Sequence, residues 1–383
     1  MPSTAKIETY VRQFDGQYTA LFERMRVEIA RRLKNARPED VQRILLEVFR
    51  KYQVDQALQA TLMDSIVKSI ALGAGIKVVA DPLLLKRWYL DRAYSAAGVK
   101  FSSTITDLAR KDEMIATLTQ AMREGTAWRT AAQTLSDKAI QGADVAKDVT
   151  KVYQLAKRNY MVSGDYEGYR AFRKKVERLQ KRINKLVDPS TSKLRRAYQD
   201  IVDLSEGASA KALDKAYRYT AYFKQRYNAE RIVRTESARA YGQGFHASIQ
   251  DSPEVIGWRV RLSPAHDIYD ICNVHCSVDL YGMGPGCYPK GWGPEYPFHP
   301  QCLCVPSEVI RTTAPEAAPS DYNPEGMEKY LAGVSPRARA QLMGRQGAAL
   351  FGESRASWSA ALRNWNGNGP TVPTIPEDML FEK

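Results

Sequence analysis

The stretch that most narrows what this chain can fold into is CNVHCSVDLYGMGPGCYPKGWGPEYPFHPQCLC, from Cys272 to Cys304. It contains all five cysteines of the 383-residue sequence and two of its four histidines, His275 and His299. Glycine and proline are dense from Gly282 to Pro300, so this part is expected to be loop held by something other than regular secondary structure. Thiolate and imidazole are the donors Zn²⁺ prefers, and a pair two residues apart can grip one ion from a tight turn. Cys272 and His275 form one such pair, and His299, Cys302 and Cys304 form an H-x-x-C-x-C group. Two pairs would close a tetrahedral, structural zinc site, and the metal would supply the order the loop sequence lacks. The preferred set is Cys272, His275, His299 and one of Cys302 or Cys304, which compete for one place; Cys276 and Cys287 are substitutes. A reduced thiol cluster and disulfides are the alternatives. A nucleophilic cysteine would need a basic, partly open setting and a general base beside it, which nothing here forces.

Ahead of this window the pattern is helical from about residue 4 to residue 250. Ile7, Val11, Phe14, Tyr18, Leu21, Met25, Ile29 and Leu33 recur every three or four positions, which gathers them on one stripe. A second stripe after Pro38 takes Val41, Leu45, Val48 and Tyr52, then Leu58, Leu62, Ile66 and Ile70, with Gly73 and Gly75 as stops. Two such helices joined by a short turn predict an antiparallel hairpin. Further helices are expected over 84–97, 104–137, 143–162, 165–187, 190–204 and 208–250. In the span 165–187, Phe172, Val176, Leu179, Ile183 and Leu186 alternate by four and three, a bundle seam. The other faces of that helix carry Arg170, Arg173, Lys174, Lys175, Arg178, Lys181, Arg182 and Lys185. They read either as a solvated face or as a surface for phosphates, with Arg173, Lys174, Lys175, Arg178, Lys181, Arg182 and Lys185 the candidate DNA contacts.

At Ser252-Pro253 the period changes. VIGWRVRLS alternates, putting Ile256, Trp258, Val260 and Leu262 on one side of a strand and Val255, Gly257, Arg259 and Arg261 on the other. Trp258 is expected to be a core anchor beneath the metal loop, while His246 and His266 read as packing or surface residues. Beyond about residue 308 a Pro- and Ala-rich linker leads to a short helix and a mobile tail. The predicted class is therefore mainly α with a small α+β C-terminal module: a helical region 1–227, a zinc-braced loop-and-strand module 228–308, and a C-terminal region 309–383.

The formal net charge of +13 is the compositional anomaly. It suggests a polyanionic neighbour, which DNA, RNA, an anionic membrane or an acidic protein would each satisfy. The opening MPSTAKIETYVRQ lacks the layout of a secretory signal, and Lys68, Lys77, Asp81 and Pro82 interrupt the most apolar stretch, so neither export nor membrane insertion is expected. The cysteine pattern fits a reducing cytoplasm.

Taken in order, several of these residues resemble the phage head morphogenesis family, the Mu F-like or SPP1 gene 7-like minor capsid proteins. The matching positions are Arg234, Thr235 and Glu236 in ERIVRTESARAYGQGF, Gly257 and Trp258, Cys272 and His275, Asp279 and Gly282, and His299, Pro300, Cys302 and Cys304. DLYGMGPGCYP is also similar to the Gly-Pro loop of one branch. The match covers about residues 228–308, and it departs at His275, where many relatives carry cysteine. The resemblance implies a structural component of a tailed-phage virion, inside the head or at the portal vertex and assembled in the host cytoplasm. Its implied partners are the portal protein, the major capsid or scaffold protein, and nonspecifically bound genomic double-stranded DNA. Arg234 and Glu236, two apart on a helix, point to different faces and are expected to bond the neighbouring loop backbone rather than to form a catalytic pair. The competing enzymatic reading is a zinc-braced HNH-type nuclease. With His275 and His299 on zinc, it would have to draw on His246, His266, Asp267 and Asp270 for a second, hydrolytic metal. A zinc-dependent sequence reader is disfavoured because VPSEVIRTTAPEAAP breaks too soon after Cys304 to form a recognition helix.

Overall fold

The computed structural model describes residues 2–33, 36–76, 79–91, 147–158, 165–184, 186, 191–207, 209–264, 266, 269–300, 302–311 and 322–362. The helix expected over 104–137, Lys185, Asp267 and the segment 363–383 lie outside them. The chain is mainly α-helical, with one small antiparallel sheet near its C-terminal end. In chain order the helices are α1 (Pro2–Leu33), α2 (Val41–Tyr52), α3 (Val54–Gly73), α4 (Pro82–Asp91), α5 (Lys147–Ala156), α6 (Tyr166–Ile183), α7 (Ser192–Leu204) and α8 (Ala210–Gln250). After them come β1 (Val255–Arg261), α9 (Ile271–Ser277), β2 (Cys287–Pro289), β3 (Val305–Ile310), α10 (Glu325–Gly333), α11 (Pro336–Gly352) and α12 (Trp358–Ala361). Two compact units result, one made of Met1–Phe14, Thr61–Ala93 and Arg231–Lys383, the other of Asp15–Ala60 and Tyr94–Glu230. The units are thus discontinuous in sequence, and residues 1–14 and 61–93 group with the motif-bearing region.

All eight stripe residues of α1 are buried, which is what a three-four period places on one face. The second stripe belongs to two helices rather than one. Gln53 sits at φ 45°, and its N–H reaches back to the carbonyls of Phe49 and Arg50, closing α2 one residue before α3 begins. The expected antiparallel hairpin forms between α1 and α2. Arg32 pairs with Glu47 at 2.8 Å, Glu28 with Lys51 at 3.1 Å, and Tyr52 Oη donates to the Arg24 carbonyl at 3.4 Å, so partners descend one helix as they climb the other.

Glu28 also accepts from Arg31 at 3.0 Å and from Arg32 at 2.9 Å. These bonds, from Arg31 first and then Arg32 and Lys51, hold its carboxyl down at about 2 against an ordinary 4.5. A depressed carboxyl contributes stability that is present above its unfolded value and is lost as pH falls through the folded one. Thermal melts of Glu28→Gln and wild type should therefore differ at neutral pH and converge between about pH 4.5 and about 2.

In the second unit, α5, α6, α7 and the first part of α8 share one core. It contains Val149, Val152, Phe172, Val176, Leu179, Ile183, Leu194, Tyr198, Ile201 and Leu213. Tyr153 stacks on Tyr217 with centroids 4.0 Å apart and donates to Asp214 at 2.7 Å.

In the first unit, the sheet order is β2-β1-β3, with Trp258 opposite Tyr288 on one side and Glu308 on the other. β2 lies inside the Gly-Pro segment expected to be wholly loop; its three residues pair with Gly257–Arg259. A register shift between Val255 and Gly257 lets Val255 join Trp258 and Val260 in the interior, against the simple two-residue alternation. Segments expected to be linker and short helix contribute Met327, Leu331, Leu342, Met343, Trp358 and Leu362 to the same core as Trp258, so the chain through residue 362 belongs to this lobe. Helix α3 meets α8 at close range. A Cβ on Gly244 would lie 2.1 Å from the Ile70 carbonyl oxygen, and one on Gly73 1.9 Å from that of Tyr241.

Candidate metal centre

Helix α9 starts because Asp270 caps it. The Asp270 carboxylate accepts the Cys272 N–H at 2.8 Å, and the Asn273 side-chain oxygen accepts the Asp270 N–H at 2.9 Å. This fixes the first turn, and Cys272 and Cys276, four residues apart, fall on one face of it. Opposite them the His299-Pro300 turn closes through the Cys302 N–H on the His299 carbonyl at 3.2 Å and leads into β3. Two tyrosines pin the frame: Tyr288 Oη donates to the His275 carbonyl at 2.9 Å, and Tyr296 Oη to the Cys304 carbonyl at 2.8 Å. Asp279, the acidic residue of the motif, accepts the N–H of Gly284 at 3.0 Å and of Tyr281 at 3.3 Å, which shapes the glycine loop around Gly282 at φ 67°.

All five cysteines are free thiols, and four sulfurs converge. Cys272 Sγ is 3.6 Å from Cys302 Sγ and 3.0 Å from His299 Nε2. A tetrahedral zinc ion with ordinary bond lengths sets S···S edges of about 3.8 Å and S···N edges of about 3.5 Å. The spacing therefore fits donors to one ion. His299 Nδ1 is 2.8 Å from the Pro300 carbonyl. That contact makes Nδ1 the donor and turns Nε2 toward Cys272 Sγ and, at 3.3 Å, Asp270 Oδ2, the orientation of a metal-binding imidazole with an outer hydrogen bond. Hydrogen bonds from Cys272, then Cys276 and Cys302, push Cys304 below the usual thiol range. The donors are correspondingly pushed up: Cys272 by its bonds to Cys302 and Cys304 and by burial, Cys276 by its bond to Cys304 and by burial. A fully buried Cys272 is poorly placed to act as a nucleophile, whereas a cluster of neighbouring thiols is chemically suited to a soft cation.

Two sets of donors lie within 4.8 Å of one another, Cys272 with His299 and Cys302, and Cys272 with Cys304 and His266. Of the residues nominated from spacing, Cys272, His299, Cys302 and Cys304 are thus brought together. His275 belongs to neither set. Its ring is completely buried against Phe298, with centroids 4.5 Å apart, and burial pushes its pKa down to about 3. Cys276 bonds Cys304 from α9, while Cys287 accepts from Arg259 Nε at 3.1 Å. His266, expected to lack a partner, instead lies 3.0 Å from Asn273 Oδ1 and 3.5 Å from Asp270. No short-range spacing marks it, because five residues separate it from Cys272. An open cleft lined by Arg259, Val260, Arg261, Leu262, Cys276 and Pro285 reaches Cys276 at the edge of the cluster. The donor set fits zinc, which would brace the two loop ends; these residues would hold it, and its chemistry there would be structural.

Trp258 is fully buried and donates its indole N–H to the Trp292 carbonyl at 2.8 Å. His246 packs edge-on against it, 4.7 Å between centroids, and burial lowers its pKa to about 4. Arg234 and Glu236 take separate roles, each with side-chain partners on other parts of the chain. Arg234 pairs with Glu8 at 3.0 Å, and the buried Glu236 accepts from Tyr89 Oη and from Arg239, both at 3.0 Å.

On α6, Phe172, Val176, Leu179 and Ile183 are buried, and Arg173, Lys174, Arg178, Lys181 and Arg182 are exposed, with Lys175 half-buried. Arg173 pairs with Glu206, and Arg182 with Asp148 at 3.3 Å. Lys174, Lys175, Arg178 and Lys181 make no ion pair with a described residue and so keep their charge available to an outside anion. No described helix is long and apolar enough to cross a membrane.

Comparison of the chain with family models, with curated proteins and with solved structures finds no match.

Proposed function

We propose that this chain is a minor capsid and head morphogenesis protein of a tailed bacteriophage, resident in the virion at the portal vertex or inside the head. In this reading a zinc-braced lobe docks on the portal protein, and major capsid or scaffold protein is a further contact. The basic face of α6 lies against packaged double-stranded DNA. One observation carries it: the residues on which the resemblance rests, from Arg234 through Trp258 and Asp279 to Cys304, fold into one unit, where Trp258, Cys272, Cys302 and Cys304 share a single core. Scattered matches would have no reason to converge. The role is structural: Cys272, Cys302 and Cys304 are buried, and both donor sets contain thiols. Thiolates favour zinc over the Mg²⁺ that phosphodiester hydrolysis by a nuclease would use.

The test has two arms on the full-length protein. Pull-down against the purified portal and major capsid proteins should retain the portal. Binding to random-sequence duplex DNA should weaken with salt, and Lys174→Ala/Arg178→Ala/Lys181→Ala together should reduce the slope of log K against log salt by roughly 2–3. Portal binding absent from both free and assembled portal would remove the assembly reading. A salt slope unchanged by the triple substitution would remove α6 as the DNA surface.

A further inference from the structure

We propose that His266 is a ligand of the metal centre, filling the place for which sequence spacing nominates His275. The inference rests on the metal reading above and assigns, within it, the donor that joins Cys272 and Cys304. A ring nitrogen of His266 lies within 4.8 Å of both Cys272 Sγ and Cys304 Sγ. His299 and His266 therefore approach the common sulfur of Cys272 in separate sets, one with Cys302 and the other with Cys304.

The local hydrogen bonds prepare the ring for this role. Asn273 Oδ1 is already an acceptor, since it takes the Asp270 N–H at 2.9 Å. His266 Nε2, 3.0 Å from the same oxygen and 3.5 Å from Asp270 Oδ1, must therefore donate on that side, which makes Nδ1 the nitrogen offered to a metal. An outer hydrogen bond that fixes the tautomer is the usual companion of a metal-bound histidine, and His299 has its own in the Pro300 carbonyl. The turn bearing His266 is tied to the same centre. The His266 N–H closes it on the Ser263 carbonyl at 2.9 Å, and the Ser263 backbone also bonds the Cys304 sulfur. His275, by contrast, lies in neither donor set and packs its ring on Phe298.

The alternative is that His266 only braces the α9 cap. Co²⁺ loading of the full-length protein separates the two, because visible d–d bands report tetrahedral geometry and sulfur-to-cobalt charge-transfer bands report thiolate number. His266→Ala should change the d–d band shape and weaken Co²⁺ binding by more than about 100-fold, beyond the usual cost of losing an outer-shell partner. His266→Cys should restore tight binding with an added charge-transfer contribution. Asn273→Ala, which removes the outer partner of His266 but no ligand, should weaken binding by about 10–100-fold without changing the band shape, and His275→Ala should leave both unchanged. A wild-type band shape in His266→Ala, or a change in His275→Ala instead, overturns the assignment while leaving the centre standing. Failure of the wild-type protein to bind Co²⁺ or Zn²⁺ at all overturns both.

Discussion

Replacing Cys272 by serine, or stripping the ion with a chelator, should unlock residues 255–310 in hydrogen exchange and leave the helices of the α5–α8 core protected. Cys272 is the shared member of both donor sets, so its loss disables each. Removing a ligand should weaken metal binding by at least about 100-fold, the upper end for an outer-shell change, which corresponds to about 2.7 kcal/mol of holo-protein stability. The segment has little else to fall back on. Regular pairing within it is limited to the three residues of β2 and the six of β3 against β1, and α9 spans only seven residues. Tyr288, Tyr296 and Phe298 are buried, and the two tyrosine hydroxyls pin the His275 and Cys304 carbonyls, but neither bond joins α9 directly to the His299–Cys304 turn. In the metal-free protein the neighbouring thiols Cys272 and Cys302, 3.6 Å apart, should also become the first to react with a thiol reagent. Unchanged exchange after verified metal removal would show that packing alone holds the lobe.

Much of this was legible in the residue order, for reasons that differ by element. Helix stripes such as Ile7 to Leu33 and Phe172 to Ile183 read correctly because burial on one face repeats with the helix itself. The clustering of cysteines pointed to the centre because thiols have few other reasons to crowd. What the order hid was everything set by distance through space. His266 reaches the sulfurs through a turn and a cap, His275 turns its ring onto Phe298, and Glu236 finds Tyr89 from another helix. The break at Gln53 was hidden for a local reason: its left-handed backbone is adopted by a residue with no glycine-like signal. Residues 61–93 group with 231–383 through close helix approaches at Gly73 and Gly244, and residues 1–14 meet the same region at Glu8–Arg234, which no linear pattern encodes.

Trp258→Ala should be the most damaging single substitution away from the thiols, costing about 3–5 kcal/mol in urea unfolding. The indole is fully buried, stands 5.1 Å from the Tyr288 ring and 4.7 Å from His246, and its N–H meets the Trp292 carbonyl at 2.8 Å. That one bond connects the central strand to the Gly-Trp-Gly turn, where Gly293 at φ 120° leaves room for no side chain: a Cβ there would sit 2.9 Å from the Trp258 ring. Trp258→Phe keeps most of the apolar surface but not the donor, so it should cost less, about 1–3 kcal/mol, the value of one buried polar group left unmatched plus the lost ring volume. Trp292→Ala is the informative control. Its indole is 48% exposed and its contribution runs through the backbone, so the change should stay within about 0.5 kcal/mol. The ranking Ala above Phe at 258, and both above Ala at 292, follows if the central strand carries the turn. A larger loss at 292 would mean that the exposed indole, rather than the buried one, organises this side of the lobe.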